Sequence, residues 1–174
     1  SRMNSILLPF PPEILPAGAE RRCMAPKAGD IVFLDTNILL SATDTSRPRH
    51  KQAQYVFHAS LDTGYHLAIS GQVVREYFVV ATREPEENGL GLSPEDAVSN
   101  IETFTRRTVL IEESEEVSDY VTGMVRKYNL QGKRIHDANI AATMKSHSVR
   151  SLVTDNPGDF TGFDEITVTG LAAL

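Results

Sequence analysis

Five acidic residues stand where acids can act together. Asp35 directly follows the apolar run Ile31–Leu34. Glu76 lies about two turns past Ser70. Asp137 occurs in Ile135-His136-Asp137-Ala138, and Asp155 and Asp159 close the stretch Thr154-Asp155-Asn156-Pro157-Gly158-Asp159-Phe160. Carboxylates brought close together repel, and each raises the pKa of its neighbours. A hard divalent cation relieves that repulsion, and carboxylate oxygens with waters and phosphate oxygens are the usual surroundings of Mg2+ or Mn2+. Such a site activates water and stabilises an in-line phosphoryl displacement. Taken singly, each acid also has a plainer role. Asp35-Thr36-Asn37 suits a helix cap or turn, Glu76 an exposed helix position, Asp137 a helix start, and Asp155 and Asp159 a solvated turn. Their joint placement is the stronger signal.

That placement depends on the elements that carry them. Ile31–Leu34 is short, wholly apolar and rich in β-branched residues, as expected of a strand buried on both faces. Arg49–Leu61 has Ala53, Val56, Phe57 and Leu61 at helical spacing, and His66–Ile69 is a second strand candidate. Ser70 is placed to cap a helix carrying Val73, Val74, Tyr77, Phe78 and Ala81. Ser93-Pro94-Glu95-Asp96 opens a helix that runs to about Thr105, with a cap residue, Pro at the first position and acids in the first turn. Thr108–Ile111 reads as a strand, Ser114–Tyr128 and Asp137–His147 as helices, Leu152–Thr154 as a fourth strand and Ile166–Val168 as a fifth. Strands alternating with helices predict an α/β fold, a three-layer α/β/α sandwich with a mostly parallel, roughly five-stranded sheet. Ligands of such sheets bind beyond the carboxyl ends of the strands, where these acids fall.

The chain has 174 residues and 41% hydrophobic composition, enough for one domain with its own core. No apolar run is long enough to span a bilayer. The single cysteine, Cys23, excludes an internal disulfide and a Cys-based zinc site, and suits a reducing, cytoplasmic location. Net charge is −6, a poor default for binding nucleic acid. The acidity is local, however. Residues 84–119 hold eleven acids against Arg106 and Arg107, while the rest holds twelve acids and fifteen bases. A basic face for a polyanion is therefore available, and the acidic stretch reads as a solvated helix pair. Residues 1–29 are rich in proline (Pro9, Pro11, Pro12, Pro16, Pro26) without helix or strand period. They are expected to be an N-terminal arm, a vector-derived scar or an upstream extension, with residues 30–174 forming the domain.

The motifs carry a resemblance. Val32-Phe33-Leu34-Asp35-Thr36-Asn37-Ile38-Leu39-Leu40, Ile69-Ser70-Gly71-Gln72-Val73-Val74-Arg75-Glu76, Ile135-His136-Asp137-Ala138-Asn139 and Leu152-Val153-Thr154-Asp155-Asn156-Pro157-Gly158-Asp159-Phe160 resemble the motifs of PIN-domain ribonucleases of the VapC toxin type, over Ile31 to about Val168. The resemblance implies a metal-dependent endoribonuclease, the toxin of a type II toxin–antitoxin pair. It implies Mg2+ or Mn2+ held by Asp35, Glu76, Asp137 and Asp159, with Asp155 as the next choice for the fourth acid. Thr36, Asn37, Ser70, Thr154 and Asn156 are candidates to orient carboxylates or waters by hydrogen bonds. His50 and His136 are read as helix-start residues. Arg47, Arg49, Lys51, Lys133 and Arg134 are candidates for phosphate contacts. The implied partners are RNA, a cognate antitoxin that blocks the acidic site, and a second copy of the chain.

Other phosphoryl chemistries fit less well. A phosphatase of the haloacid dehalogenase type needs an acid where Asn37 stands. A receiver domain needs an acid pair, whereas Asp30 and Asp35 lie at opposite ends of one strand. No GxxxxGK[ST] phosphate loop occurs. The alternative from a different class is a catalytically inactive module of the same fold that binds RNA or protein.

Overall fold

The computed structural model describes residues 26–174. The expectation of an arm therefore lies, up to residue 25, outside the described residues. Five strands, β1 (Ile31–Leu34), β2 (His66–Ser70), β3 (Thr108–Ile111), β4 (Ser151–Thr154) and β5 (Thr167–Gly170), form one sheet in the order β3-β2-β1-β4-β5. Every pair is parallel, so the sheet is more regular than the mostly parallel one expected. β1 is central. Val32, Phe33 and Leu34 are buried on both faces, which is why the run shows no polar alternation.

Parallel pairing requires crossovers, and six α-helices supply them: α1 (Thr36–Thr43), α2 (His50–Thr63), α3 (Gly71–Thr82), α4 (Pro94–Thr105), α5 (Glu115–Tyr128) and α6 (Arg134–Ser146). α1 packs on α2 and α3, and α3 on α4, whereas α5 packs on α6. Right-handed crossovers put these two groups on opposite faces, because the chain moves outward from β1 to β3 and then returns to β4. The three-layer sandwich follows. Its core joins Phe33, Leu34, Ile38, Leu39, Leu67, Ile69, Tyr77, Met144 and Leu152, each under 2% exposed. Burying each such side chain stabilises the fold by about 1.5–3 kcal/mol. No helix among the described residues is long and apolar enough to cross a membrane.

Three local expectations are corrected. The chain turns at Asp35 directly into α1, a helix that the pattern shows only as a possible cap at Asp35. Seven of its eight residues are buried, so it has no polar face and no amphipathic period to reveal it. α6 starts at Arg134, one turn before Asp137, and Asp137 ends its first turn instead of opening it. Ser70 occupies the N-cap of α3 but makes no capping bond. The Gln72 amide N–H donates instead to the Glu113 carboxylate from the β3–α5 loop. By contrast, the Ser93 Oγ accepts the Asp96 N–H at 3.1 Å and caps α4 as expected. α2 ends at Gly64, which closes the helix with φ 79°, a left-handed conformation open to glycine at little cost.

Candidate active site

The strand order reverses at β1 and β4, so their carboxyl ends open a crevice. Asp35 sits in it. It is the N-cap of α1, and its Oδ1 accepts the Thr36 N–H at 2.7 Å. Its Oδ2 accepts the Asn37 side-chain amide and the Thr154 hydroxyl, both at 2.7 Å. Asn37 also reaches β4, donating to Thr154 Oγ1 at 3.1 Å and accepting the Asp155 N–H at 2.8 Å. Asp35 is thus gripped by its own helix start and by the neighbouring strand. The plain capping role and the site role coexist in one residue.

α3 presents Glu76. Its Oε2 accepts the Thr36 hydroxyl and its Oε1 the Gln72 side-chain amide, each at 2.7 Å. His136 Nδ1 is 3.9 Å from Oε1. Asp137 is half-buried on α6, and Asp159 is exposed on the 3-10 turn Pro157–Phe160 after β4.

Electrostatics tie the four acids together. Burial pushes the Asp35 carboxyl up to about 6; its hydrogen bonds from Thr154 and Thr36 oppose this, and the charges of Glu76 and Asp159 add to it. Burial also pushes Asp137 up to about 6, with Asp159, Asp35 and Glu76 raising it further and Arg134 opposing. No Lys or Arg among the described residues forms an ion pair with any of the four. The result is a site of excess negative charge, only partly offset by Arg134 and by His136 beside Glu76, and built from hard oxygen donors, a donor set that fits Mg2+ or Mn2+. As the side chains stand, no group of three His, Cys, Asp or Glu residues among the described residues closes tightly enough to hold a metal alone. Mg2+ ordinarily retains several waters and takes only one or two carboxylates, so this does not conflict with the donor chemistry.

The remaining expected residues divide. Thr36, Asn37 and Thr154 bond the carboxylates directly. Asn156 contributes its backbone N–H to Thr154 Oγ1 at 3.0 Å. Ser70 is fully buried and its hydroxyl has no partner, so it orients none of the acids. Asp155 pairs with Arg49, which binds both its carboxylate and its carbonyl. Among the basic candidates, Arg47 lies 3.6 Å from Asp44. Arg134 donates to Thr161 O at 3.1 Å and covers the Phe163 ring. Lys51 and Lys133 are exposed. His50 Nδ1 contacts Ser41 O at 2.8 Å, a packing role at the start of α2.

Three residues at the site were not singled out from sequence: Gln72, Asn139 and Glu113. Gln72 precedes Glu76 by one helical turn, and that spacing alone could have marked it as a neighbour. Asn139 lies in the Asp137 motif. Glu113 was counted with the solvated acids, but it is half-buried against α3.

An acidic cluster at the carboxyl end of an all-parallel five-stranded α/β/α sandwich is the architecture of a PIN domain. A profile of the PIN domain family matches residues 31–157, and the chain belongs to that family. Its fold is that of VapC toxins. The VapBC2 structure from Rickettsia felis, bound to a promoter DNA fragment, has a TM-score of 0.59 at 22% identity, over 80% of this chain and 98% of that one. VapC20 of Mycobacterium tuberculosis, a toxin that cleaves the sarcin–ricin loop, has a TM-score of 0.59 at 14% identity, over 78% and 98%. FitAcB from Neisseria gonorrhoeae has a TM-score of 0.57 at 18% identity, over 82% and 99%. No curated protein matches the chain.

Proposed function

We propose that this protein is a Mg2+- or Mn2+-dependent endoribonuclease, the toxin of a toxin–antitoxin pair. One observation carries the reading. Burial and the charges of neighbouring acids raise Asp35 and Asp137 at the switch point of a PIN-family sheet, and no Lys or Arg among the described residues forms an ion pair with the four acids. Asp35, Glu76, Asp137 and Asp159 would hold the metal, which supplies charge neutralisation at the scissile phosphate and an activated water. The chain's own residues supply position. Thr36, Asn37 and Thr154 fix Asp35, while Thr36 and Gln72 fix Glu76. Asp137 and Asp159, more open to solvent, face the substrate side. Lys51 and Lys133, both exposed, would meet RNA phosphates. Structures of similar fold include VapBC assemblies and a toxin–antitoxin complex from Klebsiella pneumoniae, which supports a cognate antitoxin; we take it to cover the acidic crevice, and the chain to act in the cytoplasm. We extend the same proposal to a homodimer and to a domain that begins near Asp30.

The test is cleavage of a mixed cellular RNA pool by the purified protein with Mg2+, Mn2+ or EDTA. Discrete fragments that require metal are expected. Asp137→Asn should fold and lose cleavage by orders of magnitude. Wild-type cleavage by that variant would place the chemistry elsewhere. A folded wild-type protein that neither cleaves nor binds Mn2+ would favour the inactive binding module.

A further inference from the structure

We propose that Gln72 is the positioning residue of the acidic site, an amide splint that aims Glu76 and locks α6 against α3. The inference rests on the metal-dependent reading above and deepens it. Gln72 is buried, 5% exposed, in the first turn of α3. Its side-chain amide is fully engaged. Nε2 donates to Glu76 Oε1 at 2.7 Å and to the His136 carbonyl at 3.0 Å. Oε1 accepts the Asn139 side-chain amide at 2.6 Å. His136 and Asn139 flank Asp137 on either side. A single side chain therefore holds one acid directly and the helix segment bearing another.

The splint is itself anchored. Glu113 accepts the Gln72 backbone N–H and, at 3.4 Å, the Asn139 amide, and it pairs with Arg75 at 3.2 Å. Burial opposes ionisation of Glu113, but the Gln72 N–H, Arg75 and Asn139 outweigh it and hold the carboxyl below its ordinary range. Glu113 thus stays an acceptor. Asn139 then keeps its N–H groups for Glu113 and Gln72, and Gln72 keeps its own N–H groups for Glu76 and His136. The polarity of the chain runs one way, and it places hydrogen-bond donors on the acid instead of acceptors. Glutamine is the residue type that satisfies this. It carries two donors and one acceptor on a side chain long enough to reach from α3 to α6. The free Oε2 side of Glu76 is held by Thr36, so the carboxylate is clamped between α1 and α3. Polar partners of this kind orient metal-ligating carboxylates and tune their affinity.

The variants Gln72→Met and Gln72→Glu test the proposal. Methionine keeps length and removes both donors; glutamate keeps shape but turns a donor into an acceptor facing Glu76. Mn2+ affinity is read by calorimetry on folded protein well below its Tm, alongside kcat and KM on RNA. Ile101→Val, a core change far from the acids, serves as a control for lost stability. Both Gln72 variants should weaken Mn2+ binding by about 10–100-fold and lower kcat while leaving KM for RNA near wild type. Ile101→Val should lower Tm and leave affinity unchanged. Wild-type affinity and kcat in a folded Gln72→Met protein would overturn the splint. Failure of the wild-type chain to bind Mn2+ would instead overturn the metal-dependent reading beneath it.

Discussion

Replacing Asp35 by Asn separates the cost of the acidic site from its use. The rise of the Asp35 carboxyl from 3.8 to about 6 corresponds to about 3 kcal/mol of ionisation cost in the folded protein at neutral pH. Its sign follows from proton binding. Between about pH 4 and 6 the folded state holds the proton more tightly than the unfolded state, so this group's contribution is full below pH 4 and is lost as pH rises through 6. Asn cannot ionise and escapes that loss. It also relieves Asp137, whose carboxyl Asp35 helps to raise. Against this, its NH2 would face the Asn37 amide and the Thr154 hydroxyl, both donors to Asp35 Oδ2, at a cost of about 1–3 kcal/mol. The two effects nearly cancel at pH 7.5, but only the first depends on pH. Urea unfolding of both proteins in EDTA from pH 4 to 7.5 reads the difference. The variant should gain about 2–3 kcal/mol on wild type across that range. Saturating Mn2+, at about 100 times its Kd, should then add about 2.7 kcal/mol to wild type and much less to the variant. A stability difference that stays flat from pH 4 to 7.5 would refute the burial-and-repulsion account of the site.

Two further outcomes follow from the same structure. Ser93→Ala removes the hydroxyl that caps α4 and should lower stability by about 1 kcal/mol in urea unfolding, with RNA cleavage unchanged. Lys133→Gln should weaken RNA binding and reduce the slope of log affinity against log salt by about 0.7, the contribution of one phosphate contact on a single strand. An unchanged slope would remove Lys133 from the RNA surface.

Much of the frame is written in local pattern. β1 and β3 fall at Ile31–Leu34 and Thr108–Ile111, where the apolar runs place them, and α4 begins behind Ser93-Pro94, where cap and proline agree. These features are local because an apolar, β-branched run and a helix cap each depend on a few adjacent residues; β3 is an edge strand with Val109 and Leu110 exposed, so its run comes from strand-forming residue types and not from burial on both faces. The acids at strand ends are legible for the same reason. Alternating strands and helices leave one topology class, and that class puts Asp35 and the residues after Thr154 at one edge.

What lies beyond reach of the sequence depends on partners distant along the chain. Ser70 has the right residue type for a cap, but its buried hydroxyl finds no partner, and Glu113, forty-one residues after Gln72, takes the Gln72 N–H. Asp155 and Asp159 are equivalent by spacing. Arg49, 106 residues before Asp155, binds that one and leaves Asp159 to act on Asp35 and Asp137. The helix α1 is hidden because a helix buried nearly all round has no polar stripe. The sequence by itself determined the fold class and the acids worth examining, since hydrophobic period and residue type are local. Tertiary structure alone decided which acids share a field, which one is neutralised by an arginine, and that Gln72 ties Glu76 to α6. Hydrogen bonds and charge interactions act through space, and only the folded chain sets those distances.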